Sequence, residues 1–302
     1  MSKIDGVFIV DKPTGLTSHD VVRRVRKIIS SRAVGHAGTL DPMATGVLVI
    51  AVGEATKLVP YLTAADKEYE TKIMLGTTTE TLDADAKHFS TAPVPANWRD
   101  QLEAALDEER NRKSQIPPNF SAIHTQGERA HEIARRGEAV DLPSREIHVL
   151  SIQLLEAKEN PPMVALRVTA AKGYYVRALA RDLAARLGTV GHLTSLRRIR
   201  SGPFSIADAC LLDDENFSER RISVSDAAKR SLSAVTLDEA ARVDAGHGKI
   251  VQFADADPRG ATAWLDVQGN LVAVGYIDDD GVGRVLRGFA HTDEVPENRE
   301  DP

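Results

Sequence analysis

Apolar and polar positions along this chain recur with two different periods, and the changes of period mark its elements. Residues 6–10 form a continuous apolar run that predicts a strand, closed by the turn formers Asp11-Lys12-Pro13-Thr14-Gly15. Ser18 stands where a helix cap is wanted. Val21, Val22, Val25, Ile28 and Ile29 then follow the helical period, with Arg23, Arg24, Arg26 and Lys27 on the other face. Residues 46–52 read as a strand, and so do residues 68–75, with Tyr69, Thr71 and Ile73 on one side of the pleat. A helix is predicted over 97–111 through Trp98, Leu102, Ala105 and Leu106, followed by strands at 147–155 and 164–170. From Tyr174 the helical period returns in Val176, Leu179, Ala180, Leu183 and Leu187, and Gly188 ends it. Arg177 and Arg181 lie one turn apart there and are expected to face one cleft. Strands, helices and hairpins in this order predict a mixed α+β sheet, not a regular βαβ series.

The regular pattern stops between Ala209 and Ala234, where acidic and polar residues take over. Short apolar runs at 248–250, 262–266, 269–276 and 283–289, joined by Gly, Asp and Asn turns, predict a small β-rich unit. The expected organisation is a catalytic domain at 1–210 with an insertion at about 112–146. A linker at 211–234, a β-rich domain at 235–290 and a disordered acidic tail at 291–302 follow.

Charge changes the picture of what the chain binds. The whole chain carries −6. Residues 1–204 hold 28 Lys and Arg against 24 Asp and Glu, so +4, and residues 205–302 hold 10 against 20, so −10. Eight cations stand between Arg167 and Arg200, with Asp182 the one acidic residue among them. A polyanion responds to such a local field more than to net charge, although charge runs are more often solvated faces. The single Cys210 leaves no disulfide framework and no Cys-rich zinc site. No signal-peptide pattern or membrane-spanning run is present, so a cytoplasmic protein is expected.

Candidate chemistry converges on Gly35-His36-Ala37-Gly38-Thr39-Leu40-Asp41-Pro42. A residue before proline is pushed towards extended conformations, so Asp41 is held at the edge of the strand that follows. Taken alone this is an ordinary Asx-Pro turn. Phosphate-cradling loops and an H-E-x-x-H pair are missing, and Asp83-Ala84-Asp85 by itself is a weak cation motif.

Asp11-Lys12-Pro13-Thr14-Gly15-Leu16-Thr17-Ser18, the segment from Gly35 to Pro42, Tyr69, Leu75-Gly76, Pro117-Pro118, Lys172-Gly173 with Tyr175 and Arg177, and Leu196-Arg197-Arg198 occur in that order. This set closely resembles the bacterial TruB family of tRNA pseudouridine synthases, over about residues 5–204. The resemblance implies a pseudouridine-synthase fold, its mixed and largely antiparallel sheet flanked by helices, with a PUA-like C-terminal domain. It implies isomerisation of the T-loop uridine at RNA position 55, flipped out of the stack before chemistry. Asp41, Arg177 and Tyr69 match the catalytic positions: the aspartate that acts as nucleophile or initiates glycosidic cleavage, its paired charge, and the aromatic that stacks on the uracil. His36, Tyr175, Leu196 and Lys12 match substrate-binding positions. No cofactor and no metal is implied, the partner is tRNA through its T-arm and elbow, and a monomer is expected.

This chain departs from the family pattern at His124, His131 and Tyr174, where Lys, Tyr and a small hydroxyl residue are usual. These positions bear on RNA affinity and target range. Two other functions fit parts of the pattern. A tRNA-folding chaperone would need the RNA surface but has no use for an ion pair in a base-sized pocket. A metal-dependent nuclease would rest on Asp83 and Asp85 alone.

Overall fold

The computed structural model describes residues 4–85, 89–121, 123–125, 127–253 and 260–290; the acidic tail expected at 291–302 lies outside them. Its main sheet has eight strands: β1 (Gly6–Lys12), β2 (Val34–Ala37), β3 (Thr45–Val52), β4 (Lys67–Leu75), β5 (Val149–Glu159), β6 (Pro162–Ala170), β7 (Gly191–Ser201) and β8 (Phe204–Ser205). They run in the order β1-β3-β7-β4-β6-β5, with β2 paired to β3 and β8 to β7. All pairings are antiparallel except β3 with β7, where Arg197 meets Thr45 and Arg198 meets Gly46. The mixed, largely antiparallel sheet expected from the resemblance is therefore present.

β3 is buried along all but its first residue, as a continuous apolar run with both faces covered requires. Alternation on β1 sends Phe8 and Val10 into one core, and Val7 and Ile9 into another. The first core receives helices α1 (Ser18–Ile29), α3 (Trp98–Arg110) and α5 (Val176–Arg186). The second holds the short helix α2 (Val59–Ala64) through Leu62, and helix α6 (Val224–Ser231) through Val224, Ala227 and Ala228. It also takes Ala263, Leu265, Leu271 and Val274 from a second sheet. That sheet has five strands, β9 (Ser233–Thr236), β10 (Val251–Gln252), β11 (Ala261–Leu265), β12 (Leu271–Ile277) and β13 (Val282–Gly288), in the order β9-β11-β12-β13-β10. Helix α7 (Glu239–Gly246) packs on it.

Local readings shift where side chains compete for a backbone group. Helix α1 is capped by Thr17, not Ser18: Thr17 and Asp20 form a reciprocal capping box, which frees Ser18 to turn inward. The strand read at 248–250 lies instead at Val251–Gln252, because only there does the backbone meet Gly283 and Val282. His36 sits on a strand and not in a turn, opposite Ile50. No described helix is long and apolar enough to cross a membrane.

Candidate active site

The turn that carries Asp41 is gripped on both sides by buried side chains. Ser18 Oγ accepts from the Leu40 N–H (2.8 Å) and donates to the Leu40 carbonyl (3.1 Å). Arg198, 1% exposed, donates to the carbonyls of Val47 (2.7 Å), Gly38 (3.0 Å) and Thr39 (3.4 Å). Lys12 is fully buried, and its Nζ donates to the carbonyls of Leu16 (2.6 Å), Pro13 (3.0 Å) and Pro42 (3.2 Å). Burial pushes its ammonium down to about 8, against the opposing pull of Asp41.

Lys12 was expected to bind substrate. Its three donors are spent on backbone carbonyls, and it does not line the cleft. It fixes the residue after Asp41, as Arg198 and Ser18 fix those before it. Sequence reasoning gave Arg198 no role of its own. The available signal was Gly46, opposite it, where a Cβ would lie 2.1 Å from the Arg198 carbonyl oxygen.

Arg177 reaches the turn from the first turn of α5. Its Nε donates to Asp41 Oδ2 (2.8 Å) and its Nη2 to Asp41 Oδ1 (3.2 Å), a two-pronged pair that a lysine cannot copy. Its remaining bonds go to the carbonyls of Thr81 and Phe120, both at 2.9 Å. The Arg177 side chain is 7% exposed, while Asp41 keeps 33% of its side chain open to the cleft. Asp83 Oδ2 stands 3.7 Å from the same Nε. Burial pushes the Asp83 carboxyl upward, opposed by the hydrogen bond from Thr81 and by Arg177. Asp83 thus belongs to this cluster as a second acidic neighbour of Arg177. Among the described residues, no three His, Cys, Asp or Glu side chains gather as metal ligands.

The open side of Asp41 faces a cleft of about 880 Å³, within the range of ligand-binding pockets. Tyr69 (on β4), Tyr175, Leu196 (on β7) and His36 (on β2) all line it with Asp41 and Arg177, so the remaining predicted site residues come together. Burial pushes the Tyr175 phenol upward. Burial also pushes the His36 imidazole below its usual value, helped by His19 and Arg198; the two histidine rings meet edge to face at 6.1 Å.

Arg181 does not share the cleft: it donates to Asp182 (2.7 Å) and to the Ile116 carbonyl (2.8 Å). His131, on the short helix α4 (Ala130–Arg135), lines the cleft with Nδ1 3.0 Å from the Ser121 carbonyl, whereas His124 is exposed on a hairpin. Tyr174 lines the cleft too but is 9% exposed, its hydroxyl donating to the buried Glu109 (3.0 Å).

Residues 26–176 match the TruB family pseudouridylate synthase N-terminal domain, and residues 177–235 match the tRNA pseudouridylate synthase B C-terminal domain. The chain belongs to the TruB family. The tRNA pseudouridine synthase B of Mycobacterium bovis (strain BCG / Pasteur 1173P2) is 40% identical over 288 residues, 93% of this chain and 90% of the relative. The tRNA pseudouridine synthase B of Gluconacetobacter diazotrophicus is 48% identical over 211 residues, 70% and 68% of the two chains. In three dimensions the fold is similar to a chain of a Cbf5-Nop10-Gar1 complex, with a TM-score of 0.73 and 26% identity, covering 97% of this chain and 87% of that one. Asp41 and Arg177 fall on either side of the junction between the two family domains.

Proposed function

We propose that this protein isomerises uridine to pseudouridine at position 55 of the tRNA T-loop. The observation that carries the reading is the Asp41–Arg177 pair, held by two hydrogen bonds in the wall of a cleft of about 880 Å³ with Asp41 open to it. A buried ion pair is costly to retain, and a protein that only gripped RNA would gain nothing from this one. The curated relatives are named for the same reaction class.

The target nucleotide flips into the cleft, at an unstacking cost of a few kcal/mol. Tyr69 stacks on the uracil, and Tyr175 and Leu196 close the pocket around it. Asp41 starts cleavage of the N1–C1′ bond while Arg177 fixes the carboxylate plane. The uracil turns, C5 joins C1′, C5 gives up its proton with Tyr69 placed to help move it, and N1 gains one. Substrate and product are isomers, so the balance calls for no cofactor. His36 meets the T-loop backbone near the vacated base position. RNA is gripped by its T-arm and elbow, with the insertion at about 112–146 taking part in the grip. In the same reading the protein is a cytoplasmic monomer, its catalytic domain ending near residue 210 and a PUA-like unit following from residue 235.

Purified protein incubated with unmodified tRNA transcript should form pseudouridine at one T-loop position. Asp41→Asn should abolish the product while tRNA affinity stays within a few-fold. Product formed by Asp41→Asn at a rate near wild type would sink the reading.

A further inference from the structure

Helix α5 begins without a side-chain cap at Tyr175, although the first N–H groups of a helix lack partners within it. The support comes from a neighbouring segment. Gln115, 1% exposed, grips the Tyr175 backbone with both ends of its amide: Oε1 accepts from the Tyr175 N–H (3.0 Å), and Nε2 donates to the Tyr175 carbonyl (3.2 Å). The same segment touches α5 along its length. The fully buried Glu109 accepts from Arg186 (3.0 Å) and from the Tyr174 hydroxyl (3.0 Å), and Arg112 pairs with Asp182. The Ile116 carbonyl accepts from Arg181, and the Phe120 carbonyl from Arg177 itself.

From this geometry we infer that Gln115 is a positioning residue for the isomerisation. It fixes the backbone of Tyr175, and so aims Arg177, two residues on, at Asp41. The inference rests on the proposed reading of Asp41 and Arg177 as the catalytic pair. A side-chain amide bonded to both the N–H and the carbonyl of Tyr175, the residue that opens α5, leaves the first turn of α5 little freedom to rotate. Displacement of a catalytic group by about 1 Å can cost on the order of 100-fold in rate.

The test is single-turnover pseudouridine formation on an unmodified tRNA transcript with saturating enzyme. Under that condition the rate constant does not depend on the fraction of protein that is correctly folded. Gln115→Met keeps the length of the side chain and loses both hydrogen bonds. It should lower the rate constant by about 10- to 100-fold, with tRNA affinity within two-fold of wild type. Gln115→Glu can replace both bonds only while its carboxyl is protonated. Burial at this position raises the carboxyl's pKa, so its rate should fall relative to wild type as pH rises, a pH signature that a merely structural role would not produce. This variant decides the matter if Gln115→Met does not fold.

A Gln115→Met rate constant within two-fold of wild type, or a loss confined to tRNA affinity, overturns the inference. So does a Gln115→Glu profile parallel to wild type. Arg177→Lys, measured in parallel, separates the two levels. If it retains the wild-type rate, the reading of the catalytic pair fails. If it is slow while Gln115→Met is not, only the role of Gln115 fails.

Discussion

Buried cations do most of the shaping around Asp41, and the burial of Lys12 can be tested through its titration. Lys12 ordinarily holds its proton to 10.5, and burial lowers this to about 8 in the folded protein. For a group whose folded value is depressed, the contribution to stability is fully present above the unfolded value and is lost as pH falls through the folded one. Wild type should therefore gain stability over Lys12→Met as pH rises from 8 to about 10.5, read from denaturant unfolding at several pH values. A constant difference would refute the burial argument. His36 offers a milder case, since its imidazole lies below the usual value from burial first and His19 second. His19→Ala should move the His36 titration upward when followed by NMR.

At the scale of elements, the packing of β3 against β7 depends on one glycine. Gly46 has φ +99°, and a Cβ there would meet the Arg198 carbonyl oxygen at 2.1 Å. Gly46→Ala should destabilise the protein by roughly 2–5 kcal/mol, from strain and overpacking together, seen as a lower midpoint in urea. Ser18 joins α1 to the Asp41 turn through both backbone groups of Leu40. Ser18→Ala strands those buried groups at about 1–3 kcal/mol. Its activity should fall further than its stability does, because Leu40 is the residue next to Asp41. Both glycine and serine were visible in the sequence, but only as the start of a strand and as a cap. Their partners, 152 and 22 residues away, come into view when the sheet and helix pack.

Over the whole molecule, the arginines of the basic run at 167–200 prove to be paired with groups of the chain itself. Arg167 pairs with Glu70, Arg186 with Glu108 and Glu109, Arg197 with Asp11, and Arg200 with Asp66 and Glu68. Arg177 and Arg181 face Asp41 and Asp182, and Arg198 is buried among carbonyls. Lys172, the remaining cation of the run, lines the cleft together with Arg129 and Arg135 from outside that run. Lys172→Gln and Arg135→Gln should each reduce the salt dependence of tRNA binding by about 0.7–0.9 in log–log slope. Arg284→Gln should leave it unchanged, since Arg284 pairs with Asp278 (2.9 Å) in the second sheet. An unchanged slope in both cleft variants would move the footprint elsewhere. Deleting the second sheet is a poorer test, because Leu265, Leu271 and Val274 share a core with Val7, Ile9 and Val49.

The sequence by itself determined the elements whose period is long and unbroken, such as β3, α3 and α5. It also determined the residue types at the site, because the order of Asp41, Tyr69, Tyr175 and Arg177 survives in the linear chain. It could not say that Lys12 holds the Pro42 carbonyl, that Asp83 stands beside Arg177, or that Gln115 holds Tyr175. Each of these depends on groups far apart in the chain competing for one backbone carbonyl, one guanidinium or one N–H. Such competition is decided by distance in space, and only the packed sheet and helices set those distances.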